Sequence, residues 1–73
     1  MQQYILVDPF THRPYLVQDE VVALEEAVRM NQASENHPAF VLYRTDPLGR
    51  GIYVATLARR FGTDNFYWDR PKG

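Results

Sequence analysis

Few side chains in this sequence have the chemistry of a catalyst. A covalent mechanism needs an activated Ser, Cys, Thr or Lys beside a base, and the chain has no Cys, a single Ser (Ser34) and a single Lys (Lys72). Ser34 reads as a helix-end residue and Lys72 lies in a polar tail. His12 sits in a predicted turn and His37 directly before Pro38. Their separation matches no metal-ligand spacing and no carboxylate cluster accompanies them, so both read as solvated loop histidines. Glu25 and Glu26 are adjacent on a predicted helix and point in different directions, which does not suit a general acid and base pair. Gly49-Arg50-Gly51 is too short for a phosphate-binding loop and falls in a hairpin turn. The sequence therefore predicts a non-enzymatic protein with no catalytic residue, metal ion or cofactor.

Binding chemistry is better represented. Arg59-Arg60-Phe61 followed by Phe66-Tyr67-Trp68 interleaves cations with stacking rings, a composition used by single-strand nucleic-acid binders. Arg50-Gly51-Ile52-Tyr53-Val54 is a weak match to an RNA-recognition strand, because Ile52 stands where an aromatic is needed and no second helix is available. Residues 54–62 could pass for the first helix of a helix-turn-helix, but no amphipathic recognition helix follows. A pI of about 6.0 lacks the basic excess of phosphate-led binding. Phe61, Phe66 and Trp68 could equally close a small core. Protein binding is the third reading. Ten aromatics exceed what one helix-on-sheet core readily buries, and Tyr, Trp and Arg are enriched in binding hot spots. Tyr4, Tyr15, Tyr43, Tyr53 and Tyr67 recur on predicted strands, as exposed contacts or as half-buried core rings. The acidic helix face offers a second contact. On this reading Arg59, Arg60, Tyr67 and Trp68 form the contact surface, with Arg70 and Lys72 as steering charges.

The elements that must position these residues follow from local pattern. Tyr4-Ile5-Leu6-Val7 reads as a strand ended by Asp8-Pro9, and Pro14-Tyr15-Leu16-Val17 as its hairpin partner. The period then changes. Val21, Leu24, Ala27, Val28 and Asn31 share one helical stripe, while Glu25, Glu26, Arg29 and Gln32 lie opposite. Asp19 is the expected N-cap, Glu25 and Arg29 an i,i+4 pair, and the helix should end near Ala33 or Ser34 ahead of the breaker Asn36-His37-Pro38. Residues 39–44 read as a third strand, the dense turn signal of residues 45–51 follows, and residues 52–57 read as a fourth. Residues 55–61 could extend that strand or form two helical turns ending at Gly62. Gly62-Thr63-Asp64-Asn65 marks a turn, after which Phe66-Tyr67-Trp68 could add a fifth strand. Asp8-Pro9 to Val17 echoes Asp46-Pro47 to Val54, as two hairpins built from the same turn residues would. The predicted fold is α+β, ββαββ, an antiparallel sheet of four or five strands with one helix on one face. Residues 1–69 form the single domain and residues 70–73 a polar tail. One helix cannot cover both faces of a sheet, so the opposite face must be polar or available to another molecule.

Composition bounds this picture. Seventy-three residues and 8.5 kDa suit one small domain with a modest core and no deep cleft. Without Cys, neither a disulfide nor a thiolate metal site can supplement that core. Hydrophobic residues at 45% against 23% charged are globular values and exclude a disordered chain. No apolar run approaches a membrane span and no signal peptide is visible, so a cytoplasmic, monomeric protein without membrane contact is expected. The net charge of −1 is a cancellation. Residues 1–36 hold six acidic and two basic side chains, a net of −4, and residues 37–73 hold three acidic and six basic, a net of +3. Such polarity can orient encounter with a partner.

Taken whole, the chain resembles the very small regulators that bacteriophages encode to bind host bacterial RNA polymerase. The resemblance rests on size, lack of Cys, two-ended charge and the hairpin-helix-strand order of residues 4–17, 20–33 and 39–57. It contains no diagnostic motif, so no functional residue is carried over. It implies a non-enzymatic protein that docks on the large catalytic subunits of the polymerase, obstructs promoter engagement by the initiation factor and can also alter termination. An inhibitor or adaptor of another bacterial complex, such as a defence system, and a single-strand nucleic-acid binder are the alternatives.

Overall fold

The computed structural model describes residues 3–72. Met1 and Gln2, at the start of the expected domain, and Gly73, at the end of the expected tail, lie outside the described residues. Six elements follow in the order β1 (Tyr4–Val7), β2 (Pro14–Val17), α1 (Glu20–Ala33), β3 (Val41–Thr45), β4 (Gly51–Arg59) and β5 (Phe66–Asp69). The strands form one antiparallel sheet in the order β2-β1-β3-β4-β5. The fold is thus α+β with a fifth strand, ββαβββ. Residues 55–59, ambiguous in sequence, continue β4 as strand. The sheet runs through them because Leu57 and Arg59 gain partners in Trp68 and Phe66.

Helix α1 begins where expected. The Asp19 carboxylate accepts from the Val22 N–H at 2.9 Å and satisfies one of the first-turn donors. Its end is closed by Ser34, whose N–H reaches the Met30 and Asn31 carbonyls. The chain then folds back on the helix: Asn31 Nδ2 donates to the Pro38 carbonyl at 3.0 Å, with His37 in the left-handed region at φ 45°. Its packing stripe is rotated from the predicted one. Ala23, Ala27 and Asn31 are buried, while Val21 is exposed. Small residues at the contact let the helix lie close to the sheet, and that displaces Val21 outward. Arg29 pairs with Glu26, one turn back at i,i+3, in place of Glu25.

Pairing register assigns the two faces of the sheet. Leu6 lies opposite Tyr15 and Leu42, Leu42 opposite Ala55, and Leu57 opposite Trp68. These side chains share the face covered by α1, where Leu6, Leu42, Leu57, Phe40, Ala23 and Ala27 form the buried core and Tyr4, Tyr15, Val17, Phe66 and Trp68 pack around it. Full burial of a Leu or Phe side chain stabilises by about 1.5–3 kcal/mol. The register shifts once: Leu42 pairs with Ala55 and Tyr43 with Tyr53, so Val54 is an extra residue, a β-bulge. Among the described residues no helix is long and apolar enough to cross a membrane.

Candidate functional site

The face of the sheet away from α1 is built from strand residues of the other parity. One row crosses four strands as Leu16, Ile5, Tyr43 and Tyr53, each paired with the next. A second runs Pro14, Val7, Val41, Thr56 and Asp69. Tyr67, paired with Ala58, adds a third ring on β5. Among the described residues no element covers this face. Leu16 is 73% exposed, and Tyr53 and Tyr67 are each 43% exposed. The rings are nevertheless held in place: Tyr43 and Tyr53 meet edge to face with centroids 6.2 Å apart, and the Tyr53 hydroxyl is 2.6 Å from Thr56 Oγ1. Asp69, on the edge strand β5, is the one charged residue among these strand positions. The result is a broad surface that is apolar and aromatic, with hydroxyls at intervals.

Three ordered turns border the sheet. The Asp8 and Asp46 loops share a construction that explains their sequence echo. Each Asp carboxylate accepts from the N–H two residues on, Phe10 at 2.8 Å and Leu48 at 3.0 Å. Each Asp N–H is received by the carbonyl of an Arg, Arg13 or Arg50, and each loop contains a left-handed residue, His12 or Gly49. Asp46 also accepts from the Arg50 N–H and Nε, both at 2.8 Å. The Arg50 N–H, followed by its guanidinium, the Leu48 N–H and the charge of Arg44, holds the Asp46 carboxyl below its ordinary range against an opposing push from burial. The β4–β5 turn is closed by Arg60 N–H to the Asn65 carbonyl and by Thr63 to the Arg60 carbonyl. At its tip Phe61 is 103% exposed.

The six contact residues expected from sequence do not form one surface. Tyr67 lies on the open face, but Trp68 turns to the helix side, where it packs on the core and donates Nε1–H to the Glu20 carbonyl at 3.0 Å. Arg70 ion-pairs with the Glu20 carboxylate. Those two side chains hold the start of α1 against β5. Arg59 ends β4 on the helix side, paired with Phe66, and Arg60 begins the exposed turn beside Phe61. Lys72 is exposed beyond the sheet. Sequence reading missed the exposed Leu16 and the half-buried Ile5, Val7 and Val41 as residues of the open face. The available signal was in Tyr4-Ile5-Leu6-Val7, which is apolar at both parities although one helix can bury only one of them. His37 Nδ1–H donates to the Asn31 carbonyl at 3.0 Å, so this His is tied to the helix end, whereas His12 is an exposed turn residue. Among the described residues no group of three or more His, Asp or Glu is placed to hold a metal ion.

Comparison of the chain with protein-family models, with curated proteins and with solved structures yields no match.

Proposed function

We propose that this chain is a non-enzymatic regulator that works by docking on a larger protein, and that its target is bacterial RNA polymerase, whose promoter engagement it inhibits and whose termination it can alter. The observation that carries the docking reading is the open, nearly uncharged face of the sheet, with its fixed Tyr43 and Tyr53 rings and the exposed Tyr67. Contiguous apolar surface of this kind marks interaction sites, and Tyr supplies contact area at a low entropic cost. Arg60, in the exposed turn that follows β4, adds a cation at the end of that face that suits an acidic rim on the partner, while Arg59 lies on the helix side. The polymerase as target, and with it a place in the bacterial cytoplasm, comes from the resemblance in size, charge and element order.

Single-strand nucleic-acid binding is less well supported. A stacking platform would need Phe66, Tyr67 and Trp68 on one surface, and strand alternation sends Phe66 and Trp68 into the helix-side packing while Tyr67 faces away.

The experiment is binding of the purified chain to purified bacterial RNA polymerase, core and holoenzyme, followed by promoter-dependent transcription. Retention on the enzyme with loss of initiation is expected. Tyr67→Lys on the open face, combined with Arg60→Glu at the adjoining turn, should weaken that binding tenfold or more while leaving the melting curve native. Failure of the wild-type chain to bind either form would remove the polymerase as target. Tight, steeply salt-dependent binding to labelled single strands would favour the nucleic-acid reading.

A further inference from the structure

We infer that the open face of the sheet is covered in solution by a second copy of this chain, stacked face to face about a twofold axis. The inference rests on the reading of that face as a protein-docking surface, and does not depend on the identity of the target.

Area gives the first argument. The chain exposes 5477 Å², whereas a monomeric protein of its mass is expected to expose about 4,650 Å². The excess, roughly 800 Å² over the whole chain, is of the size that one partner contributes to an interface of standard size. The open face, with its exposed Leu16, Tyr53 and Tyr67, supplies part of it, beside the turns and the exposed helix residue Val21. The molecule is also flat, 39 × 27 × 19 Å, as expected of a two-layer unit with one broad side left open. A sheet packed on the face at a spacing of about 10 Å would turn two layers into four and bury the rings on both sides.

Chemistry selects the occupant. An interface between two identical patches places each group near its own kind, so a charged patch repels itself and an uncharged one does not. Here Leu16, Ile5, Tyr43 and Tyr53 form an uncharged row across four strands, and Asp69 stands at the β5 margin. An unlike partner of strongly acidic or basic character would find no complementary charge on these strands. A second copy offers the same apolar area, with Tyr hydroxyls able to pair with one another or with rim water. Because that face is also the proposed docking surface, self-association and target binding would exclude each other, and the dimer would be a stored form.

Sedimentation velocity of the full chain from low to high micromolar concentration tests this. The expected result is a concentration-dependent species of twice the 8.5 kDa chain mass that raised salt does not dissociate, since burial here is apolar. Leu16→Glu combined with Tyr53→Glu should shift the midpoint of association at least tenfold toward higher concentration. Phe61→Ser, at the β4–β5 turn, should leave it unchanged. A wild-type chain that stays monomeric across the range overturns the proposal, and so does a dimer that survives the double substitution. If the double variant fails to fold, Tyr67→Lys on the exposed part of β5 gives the same reading. Polymerase binding by a strictly monomeric chain would defeat the self-pairing and keep the function; a dimer that binds no polymerase would do the reverse.

Discussion

At the scale of single residues, the best defined electrostatic device is Asp46. Three protons from Leu48 and Arg50 converge on its carboxylate, which lowers its affinity for a proton. A group whose folded pKa is depressed contributes stability above its unfolded pKa, and that contribution disappears as pH falls through the folded value. The wild-type chain should therefore be more stable than Asp46→Asn at neutral pH. The difference should shrink as the pH is taken from about 5 to below the ordinary carboxylate pKa of about 4. Urea midpoints measured across that range check it, and a gap that does not vary with pH would mean that the carboxylate charge is not its source. The turn role of Asp46 was legible, because Asp-Pro ahead of Gly is turn chemistry. That Trp68 and Arg70 would both be engaged by Glu20 was not. A contact across 48 residues leaves no local pattern, and the exposed reading of Trp68 rested on neighbours in sequence that alternate between faces.

Elements show the same division between local and distant information. The helix bounds, its Asp19 cap and the first hairpin were readable because each depends on residues a few positions apart. The fifth strand was open for the opposite reason: Phe66-Tyr67-Trp68 becomes a strand by pairing with Leu57 and its neighbours, and a four-residue segment has too little periodicity to announce itself. The stripe of α1 was predicted as Val21, Leu24, Ala27, Val28 and Asn31; Ala27 and Asn31 are buried as expected, but Ala23 joins them and Val21 is exposed. The bulge at Val54 was invisible in sequence and has a large effect. It lets Ala55 and Leu57 enter the core while Tyr53, two residues before Ala55, pairs with Tyr43 on the opposite face. Deleting Val54 should remove the bulge and bring Tyr53 next to Ala55, still opposite Tyr43 and on the same face. Retention of the Tyr43–Tyr53 ring-to-ring cross-peaks by NMR, with a lowered melting temperature because Val54 packs against the core, is the expected outcome. Loss of those cross-peaks would show that the strand slips as a whole and that Val54 is not the extra residue.

For the molecule as a whole, one small core carries the stability. A domain of this size is expected to be stable by roughly 4–11 kcal/mol, and Leu42 is a fully buried side chain at the centre of the sheet. Leu42→Ala should cost about 2–5 kcal/mol, a large part of the total, and equilibrium urea unfolding should report it as a lowered midpoint. A cost under about 0.5 kcal/mol would mean that the core is not assembled as described. The charge asymmetry between sequence halves is partly cancelled in the fold. Arg70 returns to Glu20 of the first half, Arg50 stays with Asp46, and Arg59 and Arg60 lie at the far end of β4 from Arg50. Encounter with a partner would thus be guided by local groups such as Arg59 and Arg60, and less by an overall dipole.

The brevity of the two outer strands has its own consequence. β2 and β5 are four residues each, Pro14 brings no N–H to the β2 edge, and Asp69 places a charge on β5. An incoming strand would gain few backbone bonds there, so lateral growth into a fibril is disfavoured. Stacking across the open face, by contrast, uses up that face in a single step and presents a helix-covered back on either side. Assembly in this geometry closes on itself, which would let a chain with an exposed aromatic sheet accumulate without polymerising.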